Sequence, residues 1–482
     1  MSGTSLLWHL PDVVAIFDSP QTKTLSEGAH PSLVEECLAS FGINAEVTRI
    51  QCGPVITRYT LRLPPALSLH DIVSYADDLA LALAVPNVKI GAPSPSKSVA
   101  WVDATQNTVL PVRFRDVLES STYLPANSIV LGNDAIGQPI LDDIRKLAHL
   151  FIAGTTGAGK STCINCIIAS LLIGATPDEL ELLLIDTSRV EFVPYNGIPH
   201  LKNEVITDPS LAAGALAIIS REMDQRYERL AKAGVRKMEE YNAKFPDEKL
   251  PYIVTVIDEL SDLLLVAPMK VYGLLSMLVE SGRAVGIHVI IGTRILSDSL
   301  VRRIAKTFPS HIAFKLTTKQ ESRMLVDIPG AEQLRGPGDM LYRPIGSSVI
   351  FAQGAILTNF EIQRLVGHWI RQVQIAQNSM FNVIEESERQ AVDNLWYDAA
   401  KFLFDVKVTK GEAGVGSTAA LQARFSIGHP RAVRLMKQLE EFGVVGPNEG
   451  VKPRNVIIET IVDLERLADR FGKPGQTDLF AE

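Results

Sequence analysis

Residues 154–161 have the types and the spacing of a phosphate-binding loop. They read Gly-Thr-Thr-Gly-Ala-Gly-Lys-Ser, which fits the pattern G-x-x-x-x-G-K-[ST]. Glycines let the backbone wrap its N–H groups around phosphate oxygens, Lys160 supplies a positive charge for the β- and γ-phosphates, and Ser161 offers a hydroxyl to Mg²⁺. The predicted nucleotide contacts are Gly154, Thr155, Thr156, Gly157, Ala158, Gly159, Lys160, Ser161 and Thr162.

Two acidic residues, Asp258 and Glu259, follow the apolar segment Tyr252–Ile257. At the carboxyl edge of a strand, Asp258 can join Ser161 in the magnesium shell, and Glu259 can orient or deprotonate an attacking water. By themselves the two acids could be a solvated strand end. Together with the loop they predict a hydrolytic site that uses ATP and Mg²⁺. A kinase or GTPase also fits the loop, but the adjacent Asp-Glu favours ATP hydrolysis over transfer to a small acceptor.

The segments around these residues have the sequence pattern of an α/β protein. Between residues 121 and 373, continuous apolar runs alternate with helical stretches, one of them a long helix over 210–243. Such runs predict a parallel sheet covered by helices on both faces. His149 to Ala153 is the strand expected before the loop, and Thr162 to Leu172 is the helix expected after it.

Smaller units flank this α/β range. At the N-terminal side, a hairpin turning at Gly53-Pro54 is predicted, with Val55, Tyr59 and Leu61 on one face. The predicted organisation is a flexible N-terminal arm (1–30), a small α+β domain (31–120), the P-loop α/β domain (121–373), a polar linker (374–390), a winged helix-turn-helix (391–460) and a C-terminal tail (461–482).

The C-terminal unit carries a local concentration of positive charge. Pro430 suits the first turn of a helix that presents an apolar stripe on one side and basic residues on the other. Two helices, a tight turn and a basic hairpin predict a winged helix that contacts DNA, although a solvated basic face on a packing module is the alternative. The predicted DNA contacts of this unit are Arg424, Arg431, Arg434, Lys437, Lys452 and Arg454.

Composition excludes several classes of protein. The 482 residues are 46% hydrophobic and 21% charged, which is typical of a globular chain, and the net charge of −8 requires any nucleic-acid surface to be local. The longest apolar stretches fall short of the roughly 18–20 residues of a membrane span, and no signal peptide is evident, so we expect a cytoplasmic location. Cys163 and Cys166 form a C-x-x-C, which we interpret as small residues packed on a helix rather than a metal or redox site.

From about Pro31 to Ile458 the chain resembles the soluble motor part of FtsK/SpoIIIE-type DNA translocases. The resemblance is carried by long blocks: FGINAEVTRIQCGPVITRYTLRL, LGNDAIGQPILDDIRKLAHLFIAGTTGAGKSTCIN, REMDQRYERLAKAGVRKMEEYN, LPYIVTVIDELSDLL and GAEQLRGPGDMLY. It implies an α domain, a RecA-like motor and a winged-helix γ domain, working as a hexameric ring that pumps duplex DNA with ATP. It also implies that Arg302 and Arg303 lie on a pore-facing loop near DNA phosphates, with a solvated helix face as the alternative, and that Arg323 contributes to catalysis from subunit to subunit.

Three departures from the family pattern stand out. The usual Asp-Pro-Lys becomes Asp186-Thr-Ser-Arg189, and an arginine of the family's Pro-Ser-Arg-Ile-Ala-Phe becomes His311. The Ala-Thr-Gln-Arg-Pro that senses the γ-phosphate becomes Gly292-Thr-Arg-Ile-Leu296, one residue shorter, so its glutamine is absent or replaced by Arg294. The family's four-span anchor is missing, which predicts that any membrane or division-site tether is a separate protein.

Two hypotheses follow from this sequence. The first is an ATP-dependent double-stranded DNA translocase acting in DNA segregation or transfer. The second is a nucleotide-gated DNA-binding protein with a degraded motor, which the altered Gly-Thr-Arg stretch supports and the intact loop opposes. The rate and the DNA dependence of ATP turnover distinguish the two.

Overall fold

The computed structural model describes residues 8–18, 30–64, 69–92, 99–120, 127–390, 393–411, 414–447 and 453–471. It divides into two compact units, Met1–Val373 and Gln374–Glu482, which are described separately. Of the helices in these ranges, none is both long enough and apolar enough to cross a bilayer.

Residues 8–18 pack on the core of the first unit. They contain a short helix, α1 (Val13–Ile16), and Ile16 and Phe17 are buried. The Phe17 ring lies 4.9 Å from that of Phe114, and the Trp8 ring lies 6.2 Å from that of Trp369. The prediction of a flexible arm over 1–30 is therefore wrong for residues 8–18, because their apolar side chains find partners far along the chain. Residues 1–7 and 19–29 lie outside the described ranges.

The small α+β domain contains an antiparallel sheet of four strands, which lie side by side in the order β1 (Glu46–Cys52), β2 (Ile56–Arg62), β4 (Val99–Thr105) and β3 (Val88–Gly91). The predicted hairpin at Gly53-Pro54 is present, and the side chains of Val55, Tyr59 and Leu61 are buried as expected. Its elements are α2 (Pro31–Ser40), β1 (Glu46–Cys52), β2 (Ile56–Arg62), α3 (Leu69–Val73), α4 (Ala76–Ala82), β3 (Val88–Gly91) and β4 (Val99–Thr105).

The motor is built on a larger sheet. Its strands are β5 (Val112–Arg113), β6 (Ser128–Asp134), β7 (Pro139–Asp143), β8 (Leu150–Ala153), β9 (Leu180–Ile185), β10 (Tyr252–Ile257), β11 (Ile287–Thr293), β12 (Ser310–Ala313), β13 (Asp339–Arg343) and β14 (Ile350–Ile356). The order is β7-β6-β14-β13-β12-β8-β11-β10-β9, with β5 beside β14. From β12 to β9 the strands are parallel, as predicted. The antiparallel extension through β13, β14, β6 and β7 was not predicted, because buried apolar runs do not reveal strand direction.

Helices cover both faces of this sheet. Leu150 and Ile152 face one apolar core, and Phe151 and Ala153 face the other. The helices are α5 (Phe114–Glu119), α6 (Ile144–Leu147), α7 (Lys160–Gly174), α8 (Pro209–Ala233), α9 (Met238–Lys244), α10 (Leu260–Val266), α11 (Pro268–Ser281), α12 (Ser299–Thr307), α13 (Lys319–Val326) and α14 (Asn359–Gln390). The long helix predicted over 210–243 is divided into α8 and α9, because Gly234 adopts a left-handed conformation that ends α8.

The cysteine pair is buried in α7. Cys163 and Cys166 belong to the apolar core, and the Cys166 thiol donates to the Ala355 carbonyl at 3.4 Å. Burial raises the pKa of Cys163 to about 12, which keeps its thiol protonated. Both observations support the packing interpretation.

The second unit is helical with a small two-stranded sheet. Residues 374–390, predicted as a linker, continue helix α14, because the segment contains no glycine or proline that would end it. The other elements are α15 (Trp396–Lys410), β15 (Gly414–Gly416), α16 (Thr418–Phe425), α17 (His429–Glu441), β16 (Arg454–Asn455) and α18 (Ile461–Phe471). Residues 461–471 are therefore not a tail: Leu464 and Ala468 are buried, and Phe471 stacks on Phe442 with ring centroids 4.0 Å apart.

Candidate nucleotide and DNA sites

The phosphate-binding loop lies between β8 and α7, in the strand–loop–helix context that the motif requires. Gly159 is the N-cap residue of α7, so the first N–H groups of that helix point towards the loop. Gly157 and Gly159 have φ angles of +76° and +111°, which favour glycine. The backbone is therefore shaped to surround an anion at the carboxyl edge of the parallel strands.

We expect Gly159→Ala to abolish tight nucleotide binding, because an added Cβ would lie 2.8 Å from the Gly338 backbone nitrogen as well as forcing a strained φ. Gly157→Ala is the matched control, since its Cβ would meet nothing within 4 Å. It should cost only the roughly 1–2 kcal/mol of left-handed strain. Fluorescence titration with a labelled ADP checks both variants, and equal losses of affinity would contradict this account of the loop.

Lys160 and Asp258 form a buried ion pair. The Lys160 ammonium lies 3.1 Å from Asp258 Oδ1 and donates to the Asp258 carbonyl at 2.9 Å. The two side chains are 5% and 0% exposed. Asp258 Oδ2 is buried and has no hydrogen-bond partner among the residues that the structure describes. A buried oxygen of this kind costs free energy unless something binds it, so Asp258 retains a free ligand position.

Glu259 is held by several donors at the start of α10. Its carboxylate accepts from the Thr293 hydroxyl at 2.9 Å and from the Arg294 backbone N–H at 3.0 Å. The Arg294 guanidinium pairs with it at 3.6 Å. These partners come from the end of β11, the strand beside β10 in the sheet, which fixes the acid beside the loop.

The cleft over the loop has lining residues from four parts of the chain. Seven of the nine predicted nucleotide contacts line this cleft. The other two are Gly154, which packs against Phe314, and Ala158, which is buried. Arg294, Glu191 and Pro337 also line the cleft. No sequence signal marked Glu191 or Pro337, because both reach the cleft from loops remote from the motif.

These residues fit a magnesium-bound nucleotide. The Ser161 hydroxyl and the unpartnered Asp258 Oδ2 are hard oxygen ligands of the type that Mg²⁺ prefers. The loop N–H groups and Lys160 suit the phosphates. The metal supplies charge neutralisation on the phosphate oxygens when it is bound.

Arg323, Arg302 and Arg303 do not line this cleft. Arg323 is exposed on α13, and Arg302 is exposed on α12. Arg303 lies on the same helix, with its guanidinium 4.8 Å from the centre of the Tyr272 ring. A role for Arg323 would therefore require a site on another molecule.

The basic residues of the C-terminal unit fall into two groups. Arg431 donates to both carboxylate oxygens of Asp393 at 2.8 Å, and hydrogen bonds from it lower the pKa of Asp393. Arg454 pairs with Glu440 and is 15% exposed. The second group is exposed and consists of Arg424, Arg434 and Lys437. The Lys437 ammonium lies 3.9 Å from the Glu441 carboxylate. Lys452 lies outside the described residues.

Family models match three parts of the chain: the FtsK alpha domain over residues 12–104, the FtsK/SpoIIIE family over 116–304 and the FtsK gamma domain over 391–459. The chain is also 40% identical to "DNA translocase FtsK" of Caldanaerobacter subterraneus over 430 residues, which is 88% of this chain and 60% of that protein. The chain belongs to the FtsK/SpoIIIE family.

Other relatives agree with membership of the FtsK/SpoIIIE family. The chain is 38% identical to "DNA translocase SpoIIIE" of Bacillus subtilis, over 94% of this chain and 59% of the relative. It therefore spans about 60% of the length of the curated relatives it matches. The structure of the conjugation coupling protein TcpA of pCW3, with ATPγS, shares the fold at a TM-score of 0.50 and 20% identity, covering 70% of this chain and 98% of that one. The P-loop α/β fold with a winged-helix γ domain, predicted from sequence, is confirmed.

The structure also describes two of the departures from the FtsK/SpoIIIE pattern. His311 Nδ1 accepts a hydrogen bond from the Arg343 guanidinium at 2.6 Å, and His311 Nε2 donates to the Ala305 carbonyl at 2.9 Å. Asp186 is fully buried and accepts from Ser188 and from two backbone N–H groups of the loop that follows. Both substituted segments are thus part of the packed motor.

Proposed function

We propose that this chain is the ATP-hydrolysing motor of a double-stranded DNA translocase that works as a hexameric ring. The observation that carries the proposal is the convergence of the phosphate-binding loop with Asp258 and Glu259 at one edge of a parallel sheet. The match to α, motor and γ family models along one chain supports the coupling of this site to DNA.

The site residues divide the work of hydrolysis. The loop N–H groups and Lys160 hold the phosphates, and Ser161 and Asp258 hold Mg²⁺. Glu259 lies beside the phosphate cleft as the carboxylate that orients water and accepts its proton. Arg323, which is exposed and does not line the cleft of its own chain, would act on the site of a neighbouring subunit.

The proposed DNA contacts are local basic surfaces on an acidic chain. Arg302 and Arg303 would face the phosphate backbone of DNA inside the ring, and helix α17 would enter the major groove. We propose a cytoplasmic location and a role in segregation or conjugative transfer of DNA.

DNA stimulation of ATP hydrolysis tests this function. Turnover by purified protein is measured with no DNA, with a long duplex and with single-stranded DNA of equal nucleotide content. The proposal predicts strong stimulation by the long duplex. Slow turnover that is indifferent to DNA would contradict it and favour the nucleotide-gated binding protein.

The two arginines on α17 predict different phenotypes. Arg434→Ala should weaken DNA binding and reduce the slope of log affinity against log salt by about 1, as expected for one lost phosphate contact. Arg431→Ala should instead lower the melting temperature of the C-terminal unit, because Asp393 loses both of the hydrogen bonds that Arg431 donates to it. Anisotropy titrations over several salt concentrations and thermal melts check the pair. An unchanged salt slope in Arg434→Ala would remove this residue from the DNA surface.

A further inference from the structure

Glu191 is a third acid at the phosphate cleft, after Asp258 and Glu259. It is half-buried and lines the cleft together with the phosphate-binding loop. Asp258 is paired with Lys160, and Glu259 accepts hydrogen bonds from the end of β11. Among the residues that the structure describes, the Glu191 carboxylate has no hydrogen-bond or ion-pair partner. An unpaired carboxylate repels a phosphate in the same cleft unless a cation accompanies that phosphate.

The loop that carries Glu191, residues 186–195, is held by buried contacts on both sides of this acid. Asp186 is fully buried, and its carboxylate accepts from the Arg189 backbone N–H at 3.0 Å and from the Phe192 backbone N–H at 2.8 Å. The Phe192 side chain is itself fully buried. Arg189 has a φ of +62°, a conformation that residues other than glycine adopt at a cost in free energy. The position of Glu191 at the cleft is therefore fixed by its neighbours in the loop.

The same loop is tied to the two helices that begin at the site. The Tyr195 hydroxyl donates to Asn165 Oδ1 at 2.8 Å, and the Asn165 amide donates to the Ser161 carbonyl at 3.1 Å, on α7. The Thr187 hydroxyl donates to Asp262 Oδ2 at 2.6 Å, on α10, which begins directly after the acid pair. These bonds connect the loop to the elements that carry both proposed magnesium ligands.

A nucleotide-bound magnesium ion supplies the cation that Glu191 lacks. Mg²⁺ takes few ligands from a protein and keeps several waters, and groups that accept hydrogen bonds from this shell tune its affinity. The direct ligand positions are provided by the Ser161 hydroxyl and by Asp258 Oδ2, a buried oxygen without a partner among the described residues. An unpaired carboxylate at the same cleft suits the hydration shell.

Building on the proposed ATPase, we propose that Glu191 is a positioning residue for magnesium, whose carboxylate accepts hydrogen bonds from the hydration shell of the nucleotide-bound ion. It stabilises the complex of metal and nucleotide. It also repels a nucleotide that arrives without the metal, because its charge is then added to that of the phosphates. Glu191 in this way selects the magnesium complex over the metal-free nucleotide.

Nucleotide binding with and without the metal tests this role apart from turnover. Dissociation constants for ADP are determined by calorimetry, in excess Mg²⁺ and in EDTA, for the wild type, Glu191→Gln and Glu191→Asp. Glu204→Gln, which neutralises an exposed acid that does not line the cleft, is the matched control. We expect Glu191→Gln to weaken binding in Mg²⁺ by about tenfold or more, the usual effect of removing a group that supports a metal site. In EDTA its binding should be equal or tighter, since one repelling charge is gone.

Opposite effects in the two conditions distinguish a role on the metal from a role in the fold. Glu191→Asp, which keeps the charge on a shorter side chain, should retain part of the magnesium effect, and Glu204→Gln should match the wild type. The free Mg²⁺ concentration that half-restores ADP affinity should rise about tenfold in Glu191→Gln. An equal loss of affinity in Mg²⁺ and in EDTA, or an unchanged Mg²⁺ requirement, would overturn the role. Failure of the wild type to bind ADP in either condition would instead overturn the proposed ATPase.

Discussion

Lys160→Ala should reduce ATP hydrolysis by at least about 100-fold, the usual effect of removing one preorganised charge from a transition state. The variant loses the ammonium that holds the phosphates. It also leaves the fully buried Asp258 carboxylate without its partner, which disfavours the ion-binding arrangement of the whole cleft. A coupled assay of phosphate release in the presence of duplex DNA measures the effect.

Lys315→Ala is the matched control for this variant. Lys315 is an exposed lysine whose backbone carbonyl accepts from the Thr155 N–H, so it is close to the loop, but its side chain does not line the cleft. It should hydrolyse ATP at close to the wild-type rate. A circular dichroism melt of both variants separates loss of chemistry from loss of fold. DNA-stimulated turnover retained in a folded Lys160→Ala protein would contradict the assignment of the site.

Mild acid should unfold the motor. Four of its histidines are buried, and burial lowers the pKa of His149 to about 3 and the pKa values of His200, His288 and His311 to about 4 each. An unfolded histidine has a pKa near 6.5 and takes up its proton first. The stability these neutral side chains provide is therefore complete above pH 6.5 and is lost as the pH falls towards 4.

In this pH window, the free energy of unfolding should fall by about 1.4 kcal/mol per pH unit for each histidine. The total stability of a typical domain is only about 5–15 kcal/mol. The contacts agree with neutral rings: the Val289 N–H donates to His149 Nδ1 at 3.1 Å, and the His149 and His288 rings are 6.1 Å apart. Urea unfolding between pH 7.5 and 4.5 gives the slope. His200→Gln, which can still donate to the Ala175 carbonyl, should reduce it by one histidine's share. A free energy of unfolding that does not change between pH 7 and pH 5 would contradict this prediction.

The nucleotide site could be predicted from sequence because its chemistry is local. The loop needs glycines at fixed positions, and the acids directly follow an apolar strand, so Lys160, Asp258 and Glu259 could be assigned before any contact was known. Glu191 and Pro337 could not, since each reaches the cleft through loop conformation rather than through a pattern.

The interaction partners of charged and apolar side chains could not be predicted from the sequence. The basic character of α17 was predicted correctly, but sequence carries no sign that Arg431 is bound to Asp393 or Arg454 to Glu440. The packing of residues 8–18 and of α18 was missed because each is a short segment whose apolar residues pack against distant parts of its own unit. The antiparallel extension of the sheet was missed for a similar reason: pairing direction depends on connections, whereas apolar runs record burial only.

Displacement of a third strand tests the central claim, ATP-driven movement along duplex DNA, most directly. Purified protein is added to a linear duplex that carries a triplex-forming strand at one end, with ATP, with ATPγS and without nucleotide. The account predicts release of the third strand with ATP alone, and no release by Lys160→Ala. Binding of duplex and nucleotide without any ATP-dependent release would contradict the motor and indicate a nucleotide-gated DNA-binding protein.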